Sequence, residues 1–143
     1  MGKITVRGVY HIGIPVNDIK KAERFYVDVL GMKVKGRGSG ERAANQPFRE
    51  ILGYWPEVLR LSCAEEDIEV VLFERPKPIE RDWKVDGFCH TAFSVSQEDF
   101  DLALEKMKEW GVNFHLGPID YGHGRTLYFF DPDGNYFQLG ERG

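Results

Sequence analysis

The chain of 143 residues has few cysteines, no long hydrophobic run and no large charge of either sign. Its two cysteines, at positions 63 and 89, are far apart and form no CxxC pair. This excludes a structural zinc site built on cysteine pairs and suits the reduced cytoplasm. No apolar run approaches the ~20 residues that span a bilayer, and the first residues lack a secretory signal. Because the formal net charge is −4 and opposite charges are interleaved, we expect neither a nucleic-acid nor a membrane partner.

The chain does contain an internal repeat. "VYHIGIPVNDIKKAERFYVDVLGMKV" and "FCHTAFSVSQEDFDLALEKMKEWGVNF" begin at Val9 and Phe88. Each has an apolar strand with a histidine at its third position, then a helical segment, a glycine and a second strand. The two histidines, His11 and His90, are 79 residues apart. Such self-similarity indicates duplication of one supersecondary unit.

Helix and strand signals extend this pattern to both halves. One helix is predicted after Asn17 or Asp18, either of which can cap it, and another after Ser96. Strand-like runs follow each helix, at 32–37, 57–63 and 68–75, then at 112–116, 125–130 and 135–140. The sequence therefore predicts one α+β domain made of two tandem β-α-β-β-β modules, at about 7–76 and 86–141.

Strand phase brings polar side chains to a shared face. Residues two apart in a strand point to the same side. If the apolar residues of each strand pack beneath the helices, His11, His90 and Gln138 all point into the opposite hollow. Thr126 and Tyr128 should face the same hollow, where a substrate would bind. The set predicts a divalent-metal site, and the alternative is a pair of hydrogen-bonded core histidines inherited through duplication.

Three stretches resemble a known family: "YHIGIPVNDIKKAERFYVDVLGMKV", "CHTAFSV" and "GRTLYFFDPDGNYFQL" are similar to motifs of the vicinal oxygen chelate superfamily. That superfamily includes glyoxalase I, fosfomycin-resistance enzymes, extradiol dioxygenases and bleomycin-resistance proteins. The resemblance covers nearly the whole chain. It implies a homodimer and sheets that curl into a cup, with helices outside, around Fe, Mn, Ni or Zn. The family's ligands come from the first, fourth, fifth and eighth strands, which assigns His11, His90 and Gln138 to three of them.

Gln138 departs from the pattern of this family, which usually has glutamate at that position. A carboxylate binds a dication as an anion, whereas an amide offers a neutral oxygen and a weaker bond. Glutamine also has no proton equilibrium near neutrality and cannot replace a glutamate that acts as a base. The substitution therefore argues against ordinary glyoxalase I activity.

The fourth strand, in "DIEVVLFERPKP", leaves its ligand position open. One alignment with the family makes Glu69 the carboxylate ligand. The other places Val71 there, and it is favoured internally because "LFER" and "LGER" coincide when Val71 is paired with Gln138. Both residues share a strand face, so Glu69 remains a candidate metal ligand from the rim of the cup.

Further candidates surround the hollow. Tyr128 is a candidate catalytic residue that donates a proton or hydrogen bond to substrate, or it only fills the cup. His123 and Arg125 lie in "DYGHGRT", as a candidate acid or base and a candidate anion-binding residue, or as parts of a solvated hairpin. Trp55, in the long 38–56 excursion, is a candidate substrate contact on a lid, or part of a subunit interface.

Two functions remain at this point. The first is a metal-dependent enzyme on a small oxygenated molecule chelated to the ion: a lyase, isomerase, epimerase or dioxygenase, with the ion as Lewis acid. The second is a metal-free protein that sequesters a planar ligand, as in the bleomycin-resistance members. Gln138 and Val71 favour the second, whereas the histidine pair favours the first. We favour the enzyme.

Overall fold

Two four-stranded mixed sheets form the frame of the protein. The computed structural model describes residues 2–38, 45–65, 68–77, 80–86 and 89–142. The first half contains β1 (His11–Val16), α1 (Ile19–Arg24, continued as a π-helical turn over Phe25–Val29), β2 (Lys33–Gly38), α2 (Gln46–Leu52), β3 (Val58–Ser62) and β4 (Glu69–Glu74). The second contains α3 (Trp83–Asp86), β5 (Thr91–Val95), α4 (Gln97–Trp110), β6 (Asn113–Asp120), β7 (Arg125–Phe130) and β8 (Tyr136–Glu141).

The two sheets have the same topology. Their strand orders are β1-β4-β3-β2 and β5-β8-β7-β6. In each, the first and last strands of the half pair in parallel, and the remaining pairs are antiparallel. The predicted α+β fold with repeated β-α-β-β-β connectivity is confirmed. The main difference is β6, which continues beyond the predicted run because register shifts absorb the extra residues at His115 and at Gly117–Pro118.

The long helices begin where the sequence places capping side chains. Of the two candidates for α1, Asp18 is the cap, and its carboxylate accepts hydrogen bonds from the N–H groups of Lys20 and Lys21. Ser96 caps α4 by accepting from the N–H of Asp99. These contacts satisfy N–H groups that have no partner within the helix, and so they fix where each helix starts.

One hydrophobic core joins the two halves. Phe25 and Tyr26, at the end of α1, are fully buried, and their rings contact Phe129 and Phe137 of the second sheet at centroid distances of 6.3 and 6.0 Å. Phe100 of α4 belongs to the same cluster. Burial of each such side chain contributes about 1.5–3 kcal/mol. The helices therefore stand on one face of each sheet and leave the opposite face for the site.

A polar network crosses the same boundary. The Tyr26 hydroxyl donates a hydrogen bond of 2.7 Å to the Asp131 carboxylate in the turn before β8. The Asn135 amide, in the same turn, donates to the Pro15 carbonyl at 2.9 Å. Asp133 accepts from the backbone N–H of Asn17 at 2.8 Å. Burial raises the pKa of Tyr26 and of Asp131, although hydrogen bonds from Asn135 and Tyr26 oppose the shift at Asp131. The turn thus fastens the second half to the first.

The helices and cysteines of the described residues bear on membrane insertion and on disulfide formation. None of the helices in those ranges is long and apolar enough to cross a membrane. Cys63 is half-buried and Cys89 exposed, and no disulfide joins them.

Candidate functional site

The candidate site lies on the open face of the second sheet, the face opposite α4 that carries His90, Tyr128, Tyr136 and Gln138. Gln138 of β8 is the register partner of Tyr128 in β7 and of Ala92 in β5. His90 precedes β5 and directs its ring toward Gln138. The His90 Nε2 and Gln138 Oε1 atoms are 2.9 Å apart. The structure therefore brings together two of the three candidate ligands that the sequence placed on one face.

The orientation of the Gln138 amide is set by Thr126. Gln138 Nε2 donates a hydrogen bond of 2.7 Å to Thr126 Oγ1, and Thr126 Oγ1 lies 3.2 Å from the Leu139 carbonyl oxygen, to which it donates. The amide oxygen is thereby left facing His90. Thr126, a candidate substrate contact, is 4 % exposed, and its hydroxyl contacts Gln138.

The spacing of these two atoms fits a shared divalent ion. Two neighbouring ligands, each about 2.1 Å from an octahedral ion, lie about 3 Å apart. Imidazole nitrogen and amide oxygen are both known ligand types for such ions, but together they supply no negative charge. Within the described ranges, no group of three or more His, Cys, Asp or Glu side chains is arranged to hold a metal ion. The residues fit part of a coordination sphere, made of neutral donors.

Aromatic side chains surround the pair. The His90 ring meets those of Tyr128 and Tyr136 edge-on, at centroid distances of 5.4 and 5.9 Å, and the two tyrosine rings stack at 5.8 Å. Desolvation raises the pKa of the Tyr128 phenol, and the nearby Tyr121 hydroxyl, to which it is hydrogen-bonded, raises it further. Tyr128 therefore carries its proton at neutral pH and lies beside His90.

His115 is a residue of this cluster that the sequence analysis passed over. Its Nδ1 lies 2.6 Å from the Tyr136 hydroxyl, and its ring lies 5.3 Å from that of Tyr136. The orientation of its side chain could have been predicted from the sequence, because Phe114 packs against the core and the next residue of a strand faces the other way. The register shift at His115 adds a bulge, which alternation alone does not reveal.

His11 lies at the start of β1, at the edge of the first sheet. Its side chain is exposed, and its ring contacts Tyr10 at 5.2 Å. Ring contacts between described residues join His11 to Tyr10 and His90 to Tyr128 and Tyr136, not the two histidines to each other. His11 thus begins β1 and His90 immediately precedes β5, and the convergence of the two histidines on one ion stays a prediction.

A small cavity lies between the strand that begins with His11 and the segment that contains His90. It measures about 250 Å³ and lies between β1 and the start of β5. Its walls include Gly13, Ile14, Pro15, Cys89, His90 and Tyr136. The first half therefore contributes surface directly beside His90.

Strand register answers the question left open for the fourth strand. Val71 is the partner of Gly13 in the first sheet, just as Gln138 is the partner of Ala92 in the second. Gly13 and Ala92 are separated by the same 79 residues as the histidines, so Val71 occupies the position equivalent to Gln138. Glu69 lies two residues before that position, on the same face of the strand.

The contacts of Glu69 also argue against its predicted role as a metal ligand. Its Oε1 atom lies 3.3 Å from Lys35 Nζ and 3.3 Å from Arg60 Nη1. An ion would have to compete with both cations for this oxygen. Glu69 therefore serves as the counter-charge of a basic cluster on the open face of the first sheet.

The prediction that Arg125 binds substrate is not supported by its position. Arg125 shares strand phase with the buried Leu127 and Phe129, so its side chain points toward α4. Its guanidinium pairs with Glu141 at 2.7 Å and with Asp101 of α4 at 2.7 Å, and lies 4.6 Å above the Phe100 ring. Arg125 fastens the end of the second sheet to α4, on the face away from His90.

Two remaining candidates lie at the periphery. His123 stands exposed in the turn between β6 and β7, beyond Tyr121. Trp55 follows α2 and is half-buried, while Phe48 of α2 contacts Phe73 of β4 at 6.4 Å. Part of the predicted lid, residues 39–44, lies outside the described residues. The described part covers a portion of the open face of the first sheet, and the roles of His123 and Trp55 stay predictions.

Comparison with curated proteins finds relatives of similar length. The chain is 27 % identical over 135 residues to the metallothiol transferase FosB of Bacillus licheniformis, covering 94 % of this chain and 75 % of the relative. It is 24 % identical over 138 residues to the fosfomycin resistance protein FosX of Listeria monocytogenes, covering 94 % and 89 %.

Solved structures show the same fold. A FosX variant from Listeria monocytogenes, crystallised with Mn(II) and 1S,2S-dihydroxypropylphosphonic acid, superposes with a TM-score of 0.72 at 20 % identity, covering 97 % of this chain and 95 % of the other. FosX from Mesorhizobium loti gives a TM-score of 0.68 at 21 % identity, covering 97 % and 94 %. At these identities the likeness establishes the arrangement of helices and strands.

A sequence profile of one superfamily matches nearly the whole chain, over residues 8–139. That match agrees with the duplicated topology, the equivalent positions of His11 and His90, and the turn that leads into Gln138. The protein belongs to the glyoxalase/bleomycin resistance protein/dioxygenase superfamily.

Proposed function

We propose that this protein is a divalent-metal-dependent enzyme that transfers a nucleophile to a small, anionic, oxygenated substrate. The observation that carries the proposal is the convergence of His90 Nε2 and Gln138 Oε1, 2.9 Å apart on an open sheet face. His11 is the proposed third ligand. When bound, the ion would supply Lewis-acid polarisation of a substrate oxygen.

Tyr128 is the proposed hydrogen-bond donor to substrate. Its phenol is protonated at neutral pH, as for any tyrosine, and burial and the neighbouring Tyr121 raise its pKa further. Its ring lies 5.4 Å from that of His90, so the phenol stands beside a proposed metal ligand. Tyr128 would orient the substrate and donate to the oxygen on which negative charge develops.

The preference for an anion is supported by the first sheet. Lys35 and Arg60 share one carboxylate oxygen of Glu69, and Lys33 lies on the same face because its register partner is Ser62. On this face, three cationic side chains therefore lie near a single carboxylate, that of Glu69. The FosX crystal complex with a phosphonic acid is consistent with an anionic substrate class.

The proposed reaction class follows from the lack of a basic side chain at position 138, where the superfamily usually has glutamate. Gln138 cannot accept a proton from carbon, so a lyase or isomerase route that depends on a base at this position is disfavoured. Addition of a thiol needs no base there, because the thiolate forms in solution from a group of pKa near 8.5. Relatives are named metallothiol transferase and glutathione transferase rather than lyase or dioxygenase.

A second candidate is a metal-free binding protein. In the structure His90 and Gln138 already satisfy each other through a hydrogen bond, and the surrounding tyrosines offer stacking surfaces for a planar ligand. This arrangement needs no ion, and for that reason the metal measurement decides between the two proposals.

We also propose a homodimer. Ile4, Val6, Val9 and Tyr10 are exposed in the segment that precedes β1, where His11 begins. A run of exposed apolar residues beside the candidate site suits burial against a second copy of the chain.

The decisive experiment measures Mn²⁺ binding and thiol consumption in untagged protein. We expect stoichiometric Mn²⁺ in the wild-type protein, its loss in the His11→Ala, His90→Ala double variant, and retention in His123→Ala, which removes an exposed imidazole elsewhere. Incubation with fosfomycin and cysteine or glutathione should consume thiol only when Mn²⁺ is present. Metal that survives the double substitution would refute the ligand assignment. No binding in any variant would favour the metal-free function.

A further inference from the structure

We infer that Thr126 is a positioning residue that presents the Gln138 amide oxygen to the ion. This inference rests on the proposed metal site, and it assigns a role to the buried hydroxyl that contacts Gln138. It concerns the feature in which this chain departs from the usual glutamate. A carboxylate presents oxygen whichever way it turns, whereas an amide must be held in one of its two orientations.

The orientation follows from the number of protons on Thr126. A hydroxyl has one proton to donate, and that of Thr126 is directed to the Leu139 carbonyl oxygen at 3.2 Å. The Thr126 oxygen can then only accept the second hydrogen bond, the one of 2.7 Å to Gln138. An amide N–H must therefore face Thr126, since an amide oxygen there would meet another acceptor.

The directions of these hydrogen bonds also determine which ring nitrogen of His90 carries the hydrogen. With its nitrogen committed to Thr126, Gln138 presents only an oxygen to His90 Nε2 at 2.9 Å. Oxygen accepts, so in the metal-free protein the Nε2 atom carries hydrogen and donates. Binding of an ion at Nε2 would require that hydrogen to move to Nδ1, while the Gln138 oxygen would keep its direction.

The surroundings make Thr126 a suitable support. The residue is 4 % exposed, and its strand is held in place on both sides by ladder contacts with β6 and β8. Its hydroxyl bonds to a backbone carbonyl, which cannot move independently of the sheet. Gln138 itself is only half-buried and, without this contact, its amide could rotate.

The first test compares Thr126→Val with Thr126→Ser by calorimetric titration with Mn²⁺. Valine keeps the size of the side chain and removes the hydroxyl, whereas serine keeps the hydroxyl. Groups that orient metal ligands typically affect affinity by about 10–100-fold. We expect Thr126→Val to weaken Mn²⁺ binding by about tenfold or more, and Thr126→Ser to restore most of it. Equal affinity in wild type and Thr126→Val would overturn the inference.

The second test needs no metal. In ¹⁵N-labelled apo-protein, nuclear magnetic resonance should show slow exchange of the Gln138 side-chain N–H protons and hydrogen on Nε2 of His90. In Thr126→Val the Gln138 protons should exchange faster and the His90 signal should lose its single tautomer, with Thr126→Ser resembling wild type. Unchanged spectra in Thr126→Val would reject the positioning role. Should wild type fail to bind Mn²⁺, the proposed function fails, and this apo measurement still decides the role of Thr126.

Discussion

At the scale of single residues, the site has a neutral ligand of fixed orientation in place of a charged one. Gln138 stands where the superfamily usually has a carboxylate, and the hydrogen bonds from Gln138 to Thr126 and from His90 to Gln138 hold its amide in place. An ion bound here would meet neutral donors from His90 and Gln138. Its affinity would therefore depend more on orientation and less on attraction than in a site with an anionic ligand.

This difference predicts the effect of Gln138→Glu. The new carboxylate should raise Mn²⁺ affinity by about tenfold or more, equivalent to about 1.4 kcal/mol, because it adds a negative charge at the ion. The Thr126 hydroxyl would have to turn its proton toward the new acceptor and leave the Leu139 carbonyl. Calorimetric titration checks the result, with Gln138→Ala as the control that should weaken binding. Weaker binding by Gln138→Glu than by wild type would contradict this account.

Tyr26 carries a second prediction at the residue scale. Tyr26→Phe removes one of the donors to the buried Asp131 carboxylate while leaving the ring in the core. Hydrogen bonds to charged groups contribute about 1.5–3 kcal/mol, so the free energy of unfolding should fall by about that amount. Urea denaturation measures it. Tyr10→Phe is the matched control, since Tyr10 is 85 % exposed, and it should change stability little. A similar loss in both variants would argue against the network.

At the scale of elements, the bulged strand β6 supports the residue that positions Gln138. A β-carbon added at Gly117 would lie 2.7 Å from the Thr126 carbonyl oxygen, and the φ angle there is +100°. Gly122, in the next turn, has a φ angle of +94° with open space around it. The two glycines thus share backbone strain but differ in crowding.

Gly117→Ala should therefore destabilise the protein more than Gly122→Ala. Left-handed strain costs about 1–3 kcal/mol in either variant. The overlap with β7 should add about 1–3 kcal/mol in Gly117→Ala alone. Denaturant midpoints measure the loss of stability in each variant, and equal losses would show that β7 shifts without an energetic penalty. Mn²⁺ affinity should also fall in Gly117→Ala, because the displaced backbone belongs to Thr126.

The ion pair between Arg125 of β7 and Glu141 of β8 predicts a dependence on pH. Hydrogen bonds from Arg125 lower the pKa of Glu141. A carboxyl group whose pKa is lowered by folding contributes stability above its usual value of about 4.3 and loses it as the pH falls through the folded value. The stability advantage of wild type over Glu141→Gln should shrink as the pH falls from neutrality through the unfolded and then the folded pKa of Glu141. Thermal unfolding across that range tests this expectation. Glu109→Gln, at an exposed position on α4, is the control, and a constant advantage would contradict it.

Much of this arrangement could be predicted from the order of apolar and polar residues, since alternation placed His90 and Gln138 on one face and periodicity located both long helices. The fourth strand could not be resolved, because Glu69 and Val71 share a face and only the pairing with β1 separates them. His115 was assigned no role, and the bulge beside it is not visible in the alternation of residues. Arg125 was assigned to the loop in "DYGHGRT", although it also begins the predicted strand 125–130, whose phase directs its side chain to the core side. The hydroxyl network of Thr126 depends on hydrogen-bond directions that a pattern of residue types does not contain.

At the scale of the whole molecule, the proposed dimer gives a direct test. Val6→Lys should weaken self-association, because the charge would be buried if the segment before β1 meets a second copy. Val85→Lys is the control: both valines are 81 % exposed in the single chain, but Val85 belongs to α3. Light scattering after size-exclusion chromatography should show dissociation for Val6→Lys alone. Dissociation in neither variant would place the interface elsewhere, and a monomeric wild type would refute the dimer.

The Tyr26–Asp131 hydrogen bond has a consequence for the history of the repeat. An ancestral single unit could pair with an identical unit, and each would meet the same partner. Here the first half holds the phenol and the second half holds the acid, so the buried Tyr26 hydroxyl has its acceptor in the other half. Expressed as separate polypeptides, the halves should therefore favour each other over copies of themselves.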